Sequence, residues 1–163
     1  MALGDDLTRI ALQERTLQFD TFSENEAWTL GCRLRDTALG RNLPLVIEIR
    51  RFGQPLFFSA LAGSTPDNVD WARRKANVVA RFHRSSYAMG LDLEQRKLTL
   101  IERFGLGLSE YAAHGGSFPL TVSGAGLIGS VTVSGLPQRQ DHELVVEVLC
   151  AELQRDYAEF RLD

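Results

Sequence analysis

The stretch from His114 to Leu149 constrains the fold more than any other part of the chain. It reads HGGSFPLTVSGAGLIGSVTVSGLPQRQDHELVVEVL. Gly115 and Gly116 can adopt positive φ, which suits a tight turn. Pro119 has no N–H to donate, so it belongs at the first residue of a strand or at a sheet edge. We therefore predict that a strand begins close to this proline.

A glycine-rich turn connects two strand-like segments in this stretch. Residues 118–123 alternate apolar and polar side chains, residues 127–134 are rich in β-branched residues, and Ser123-Gly124-Ala125-Gly126 joins them. This order predicts an antiparallel hairpin. Gly129 has no side chain to pack, which indicates a bulge or a close approach by another backbone or a ligand. Asp141 is expected to cap the helix that follows.

The other segments also carry helix or strand signals. Helices are predicted over residues 5–16, 24–40 (opened by the capping box Ser23-Glu24-Asn25-Glu26) and 66–84. Strands are predicted over residues 17–20, 45–50 and 56–61, and the last two form a second hairpin. Residues 93–112 fit a helix that Gly105 and Gly107 break into two pieces. We predict one α+β domain over residues 1–163, because a chain of this length buries about 70% of its unfolded surface.

The helix predicted over residues 66–84 has a basic face. It carries Arg74, Asn77, Arg81 and Arg84, joined by Arg73 and Lys75, while Ala72, Ala76, Val79 and Phe82 form an apolar stripe. One interpretation is a solvated surface whose charges match the helix dipole. Another is that guanidinium groups hold a carboxylate or phosphate bidentately. A third is a subunit interface.

The three histidines do not indicate a metal site, because His83, His114 and His142 lack the i, i+4 spacing of a helical metal pair. His114 is the preferred haem ligand, since the adjacent glycines leave room for a planar group; the alternative is a hydrogen bond to a carbonyl. Asp141 and His142 are sequence neighbours on a helix and point in different directions, so no catalytic dyad is expected. No serine lies in a nucleophile-elbow pattern, and no catalytic residue is identified.

Composition excludes several classes of partner. The formal charge of −3 argues against general nucleic-acid binding, and no apolar run reaches the roughly 20 residues of a membrane span. The N-terminal residues carry acids early and do not form a secretory signal, so the cytoplasm is the expected compartment. Cys32 and Cys150 lie on apolar helical faces, where free cysteine acts as a small hydrophobe.

Three motifs together resemble one protein family. HGGSFP, GLIGSVTVSGLPQRQDHELVV and WARRKANVVARFHRSSYAMG are similar to the GlcG/HbpS-like family, often labelled haem-degrading-domain-like, and within it to uncharacterised protein family 0303. The resemblance spans about Leu17 to Tyr157. It implies a central antiparallel sheet of about five strands flanked by helices, in a profilin-like or roadblock-like arrangement, and assembly into homo-oligomers. Some relatives bind haem, but this branch has no assigned activity and supplies no catalytic residue.

These observations place a candidate site where the hairpin, the following loop and the basic helix converge. Backbone N–H groups near the Ser134-Gly135 break and a helix N-terminus favour an anion there. The predicted ligand-binding residues are Arg74, Arg81, His114, Gly115, Gly116, Ser134, Gly135 and His142. The leading function is binding of a small anionic molecule, with haem or another tetrapyrrole as one candidate. The alternatives are an enzyme that acts on such a ligand and an oligomeric adaptor that binds other proteins.

Large aromatic residues support the expectation of a homo-oligomer. Trp28, Phe52, Trp71 and Tyr87 lie near element ends and exceed what one small core needs. Such side chains concentrate at the centres of protein interfaces.

Overall fold

Six helices and a four-stranded sheet make up residues 3–163, the part of the chain that this computed structural model describes. The helices are α1 (Leu3–Thr16), α2 (Glu24–Gly40), α3 (Pro66–Phe82), α4 (Ser86–Arg96), α5 (Leu100–Phe104) and α6 (Gln138–Glu152). The strands are β1 (Val46–Arg51), β2 (Gln54–Ala60), β3 (Ser117–Val122) and β4 (Gly126–Ser134), and a 3₁₀ turn spans Tyr157–Glu159. The first two residues of the predicted domain lie outside the described part.

The sheet is antiparallel throughout, in the order β2-β1-β4-β3. Both predicted hairpins are confirmed: β1 pairs with β2, and β3 pairs with β4. Gly129 has both of the expected features. The pairing of β3 with β4 is irregular between Leu120 and Thr121, opposite this glycine. A Cβ at Gly129 would lie 1.8 Å from the carbonyl oxygen of Arg50, so only glycine allows the backbones to come this close.

Helices cover both faces of the sheet. α2 and α6 pack on one face, where they bury apolar side chains from alternate strand positions: Ile47, Ile49, Phe118, Leu120, Val131 and Val133. α3 packs against β3 and β4 and buries Ala72, Ala76 and Val79. Because side chains alternate between the two faces of a strand, the α3 side of β4 carries the small polar residues Ser130, Thr132 and Ser134. The α+β class is confirmed.

Local capping residues explain where α2 and α3 begin. The predicted capping box of α2 is present, with Ser23 and Glu26 each satisfying the other's backbone N–H. Thr65 and Asn68 form an equivalent box at α3, where Pro66 occupies the first turn. His83 ends α3 in the left-handed conformation, at φ 57°.

The structure refines or corrects three sequence predictions. The strand predicted over residues 17–20 is an isolated bridge from Phe19 to Val122, so the sheet has four strands where about five were expected. In the segment 93–112 the break between helices lies at residues 97–99, between α4 and α5, rather than at Gly105 and Gly107, and residues 105–112 have no helix. The prediction that Asp141 caps a helix is wrong. α6 begins at Gln138, after Pro137, because proline fits the entrance of a helix.

Candidate functional site

A cavity of about 220 Å³ opens where β4 ends and α6 begins, beside α3. Its walls come from three parts of the chain: α3 with the loop that precedes β3, the end of β4 with the following loop, and the first turn of α6. The lining residues are Asn68, Trp71, Lys75, His114, Ser134, Gly135, Leu136, Gln138 and Asp141. Most of them are polar, and two are oppositely charged and buried.

Lys75 and Asp141 form a buried ion pair in the cavity wall. Nζ of Lys75 lies 3.0 Å from Oδ2 of Asp141, and the two residues are 4% and 0% exposed. Burial lowers the pKa of Lys75 and raises the pKa of Asp141, because both charged forms lose hydration. Their mutual attraction opposes both shifts. The two groups therefore titrate as a coupled pair.

Asp141 also fixes the loop that follows β4. Its two carboxylate oxygens accept hydrogen bonds from the backbone N–H groups of Gly135 and Leu136, at 3.3 and 3.1 Å. The carboxylate therefore connects α3, through Lys75, to the loop that lines the cavity. Pro137, the residue that precedes α6, supplies no side-chain cap, and its carbonyl oxygen accepts a hydrogen bond from the N–H of Gln140.

Gly115 and Gly116 allow this arrangement by having no side chains. A Cβ at Gly116 would lie 2.8 Å from Nζ of Lys75 and 2.4 Å from the carbonyl oxygen of Val133, and the residue has a φ of +137°. A Cβ at Gly115 would lie 2.1 Å from the carbonyl oxygen of Gln138. The two glycines thus bring the turn before β3 against both the amine and the start of α6.

Aromatic rings form the other wall. The rings of Trp71 and His114 meet edge to face, with centroids 5.2 Å apart. Trp71 also contacts Arg74: Cζ of Arg74 lies 4.1 Å from the indole centroid, a cation–π distance. His114 is exposed at the rim of the cavity. Partial burial, followed by the charges of Lys75 and Arg74, lowers its pKa, so the imidazole is neutral at pH 7.

The structure brings only some of the predicted site residues together. His114, Ser134 and Gly135 line the cavity, and Gly115 and Gly116 support its wall. Arg74 borders it through Trp71. Arg81 lies elsewhere, exposed and 6.0 Å from the ring of Tyr111, and His142 is buried in the core.

Arg73 and Arg74, on the basic face of α3, bind a neighbouring loop of the protein. Arg73 donates to the carbonyl oxygen of Ser109 and to the carboxylate of Glu110, and Arg74 donates to the carbonyl oxygen of Leu108. Both arginines also pair with Asp70. These bonds attach the loop of residues 106–111 to α3, so the guanidinium groups already have acceptors from the protein.

Sequence reasoning missed the residues at the centre of the cavity. Lys75 was grouped with the arginines, but it lies on the buried side of α3 beside Ala72 and Ala76. One signal pointed to it: the chain has only two lysines among its eighteen Lys and Arg residues, and this lysine lies within the apolar stripe. Asp141 was expected to cap a helix, and Trp71 was assigned only to an interface.

Two further classes of site are absent from residues 3–163. No group of three or more His, Cys, Asp or Glu side chains in this part of the chain is arranged to hold a metal ion. Asp141 and His142 point apart: the carboxylate faces Lys75, and the imidazole contacts Gln13 in the core.

None of the helices described is long and apolar enough to cross a membrane.

Comparison with known proteins gives consistent matches over most of the chain. A family model described as haem degrading protein HbpS-like matches residues 22–150. A UPF0303 protein of Paraburkholderia phymatum is 60% identical over 162 residues, which cover 99% of this chain and 98% of that protein. The crystal structure of Ybr137w protein has a TM-score of 0.86 at 28% identity and covers 94% of both chains. A crystal structure of a PduOC–haem complex has a TM-score of 0.68 at 19% identity, covers 81% of this chain and 94% of that chain, and shows a shared fold.

Proposed function

The chain belongs to the HbpS-like family of haem degrading proteins, and from this premise we propose that the Lys75 cavity binds a small anionic molecule. The observation that carries the proposal is the position of the Lys75 amine. Its ammonium group has three N–H donors, of which one faces Asp141 at 3.0 Å and a second faces the carbonyl oxygen of Val133 at 3.4 Å. The third is available to an acceptor in the cavity.

Other groups around the cavity favour a negative charge. The first turn of α6 has no side-chain cap, and the N-terminus of a helix attracts anions. Gly135 and Gln138 line the cavity, and Oε1 of Gln138 accepts a hydrogen bond from the N–H of Gly115 at 3.1 Å. Trp71 offers an apolar surface to the remainder of the ligand. A volume of about 220 Å³ suits a small carboxylate rather than a large cofactor.

Calorimetric titration with propionate, and with propionamide as an uncharged control of the same shape, tests this proposal. We expect saturable binding of propionate and at least about tenfold weaker binding of propionamide, because a difference of 1.4 kcal/mol is within the range of one charge-assisted hydrogen bond. Equal binding of the two compounds, or no binding of either in the millimolar range, would refute it. Both titrations use the unmodified protein, so no variant has to fold.

Haem is a second candidate ligand, and the position of His114 at the rim of the cavity supports it. A neutral imidazole at an open rim is the form that ligates haem iron, and neither ring nitrogen of His114 is hydrogen-bonded to another residue in the described part of the chain. The cavity is smaller than the roughly 300–1,000 Å³ of pockets that enclose drug-sized ligands, so it fits a propionate group rather than a whole macrocycle. His114 would hold the iron and Lys75 a propionate. Bound haem would supply the redox chemistry of its iron.

Absorption spectra during titration with haemin test this second candidate. If His114 is a ligand, His114→Ala shifts the Soret band and weakens binding, while His83→Ala, at an exposed residue that ends α3, behaves like the unmodified protein. Identical spectra for the three proteins would exclude His114 as the ligand.

We also propose that the chain forms a homo-oligomer. Trp28 and Phe52 are 62% and 78% exposed, which is unusual for aromatic side chains of this size. The other two aromatic residues that were predicted to lie at an interface are placed within the protein: Trp71 lines the cavity, and Tyr87 is buried against His142. Trp28 and Phe52 are therefore the residues from which an interface is expected.

A further inference from the structure

We propose that Lys75 is an imine-forming amine, and that the anionic ligand of the cavity is a small carboxylate that also carries an aldehyde or ketone, such as a 2-oxo acid. This inference rests on the proposed function, because the same cavity would have to receive the carboxylate. It adds a covalent step and identifies the atom that takes part in it, Nζ of Lys75.

The choice of lysine at this position supports a reactive role. The chain has two lysines among eighteen Lys and Arg residues, so arginine supplies nearly all of its positive charge. The position is 4% exposed, sits in a helix next to two arginines and lines the cavity. Arginine forms better ion pairs with carboxylates but cannot lose its proton in a protein, whereas lysine can. A purely structural pair with Asp141 would not require the weaker partner.

The surroundings of Nζ make loss of its proton easier than in an exposed lysine. Burial lowers the pKa of Lys75, and the Asp141 carboxylate lies 3.0 Å from Nζ, within reach to accept the proton when a carbonyl compound reacts. A desolvated lysine in a pocket is the common form of imine-forming lysines. A Cβ at Gly116 would lie 2.8 Å from Nζ, so only glycine lets this turn pack against the amine, and access to the amine is from the cavity that Lys75 lines.

The reaction balances with the groups that are present. Lys75 transfers one proton to Asp141 and becomes a neutral amine. The nitrogen attacks the carbonyl carbon, a C–N bond forms, and a proton shift gives a carbinolamine. Asp141 then returns its proton to the hydroxyl group, which leaves as water, and the product is a protonated imine beside the Asp141 carboxylate. No oxidant or reductant is needed.

Reductive trapping with pyruvate and sodium cyanoborohydride, followed by peptide mapping, tests the proposal. Lys97 is an internal control in the same chain, because it is exposed and lies outside the cavity. We expect the reduced adduct predominantly on Lys75 in the native protein, a Lys75 to Lys97 ratio near one in the denatured chain, and loss of the Lys75 adduct when excess propionate is added. Equal labelling of both lysines in the native protein would overturn the proposal.

Variants separate this inference from the proposed function. Lys75→Arg keeps the positive charge and removes the nucleophile, so we expect it to bind propionate and to form no adduct in the cavity. Asp141→Asn keeps one of the two acceptor oxygens for the loop amides but accepts no proton from Lys75, so we expect slower adduct formation. Lys97→Arg leaves adduct formation on Lys75 unchanged. If propionate binds the unmodified protein but pyruvate is never trapped on Lys75, imine formation is wrong and anion binding stands. If propionate does not bind, the proposed function fails as well.

Discussion

Nε2 of His142 lies 2.8 Å from Oε1 of Gln13, deep in the core between α1 and α6. The amide nitrogen of Gln13 donates to the carbonyl oxygen of Phe160 at 2.7 Å, which orients its oxygen toward the imidazole. The proton of His142 therefore lies on Nε2. Nδ1 is buried and has no partner among the described residues, so a second proton there would be an unsatisfied buried donor. Burial lowers the pKa of His142 to about 3.

His142 is expected to make the protein less stable in acid. The imidazole of His142 takes up a proton below about pH 6.5 in the unfolded chain, but only near pH 3 in the folded chain. The contribution of neutral His142 to the free energy of unfolding is therefore fully present above pH 6.5 and is lost as the pH falls from 6.5 to 3. The contribution is up to about 1.4 kcal/mol per pH unit. In urea unfolding at pH 7, 6, 5 and 4, the stability difference between unmodified protein and His142→Gln should shrink toward low pH.

His83→Gln is the matched control for this titration, because His83 is exposed. Its free energy of unfolding at pH 7 should differ little from that of the unmodified protein. A difference for His142→Gln that is constant from pH 7 to pH 4 would contradict a neutral buried imidazole.

The ion pair of Lys75 and Asp141 predicts a non-additive pair of substitutions. Lys75→Met removes one partner of a buried pair and should lower the free energy of unfolding by about 3–5 kcal/mol, because the Asp141 charge then has no counterion. The double variant Lys75→Met/Asp141→Asn should be more stable than Lys75→Met alone, since it leaves no unpaired charge. Chemical denaturation measures both values. Additive losses would mean that the pair is not coupled.

Gly116 provides a test of the space around the amine. Gly116→Ala should destabilise the protein by more than Gly124→Ala, although both residues have positive φ, +137° and +81°. The added Cβ meets Lys75 and the carbonyl oxygen of Val133 at the first position and nothing within 4 Å at the second. Backbone strain alone costs on the order of 1–3 kcal/mol. Equal losses in denaturant unfolding would show that the clash is relieved without cost.

The exposed aromatics predict the oligomeric state. Light scattering at micromolar concentration should give a mass above that of one chain, and Trp28→Ser or Phe52→Ser should lower it, because large aromatics dominate interface energies. Leu39→Ser, at an exposed leucine on α2, serves as a control. A single-chain mass for the unmodified protein would refute the proposal.

Most of the fold could be predicted because local signals specified it. Glycine turns and β-branched runs defined both hairpins, and the capping box of Ser23 and Glu26 located the start of α2. The resemblance to the HbpS-like family is confirmed by the family match over residues 22–150. The helix predicted beyond Gly105 was wrong because that loop is held by hydrogen bonds from Arg73 and Arg74, which lie far away in sequence.

The cavity was only partly predictable. Gly115, Gly116 and the Ser134-Gly135 break indicated the position of the cavity, because local sequence determines where the backbone turns. The role of Lys75 was missed because residues 74 and 75 are neighbours on α3, and periodicity alone does not show which of them faces the sheet. The sequence also could not show that the guanidinium group of Arg74 is bound to the carboxylate of Asp70 and the carbonyl oxygen of Leu108. The contact with Leu108 depends on how a loop distant in sequence folds.

An ¹H–¹⁵N correlation spectrum titrated with propionate tests most directly whether the Lys75 cavity is an anion site. If it is, we expect saturable shifts of the Trp71 indole N–H and of the backbone amides of Gly135 and Leu136, with little change at Gly124 in the distant hairpin turn. Saturable shifts that cluster elsewhere, or an unchanged spectrum at saturating propionate, would contradict it.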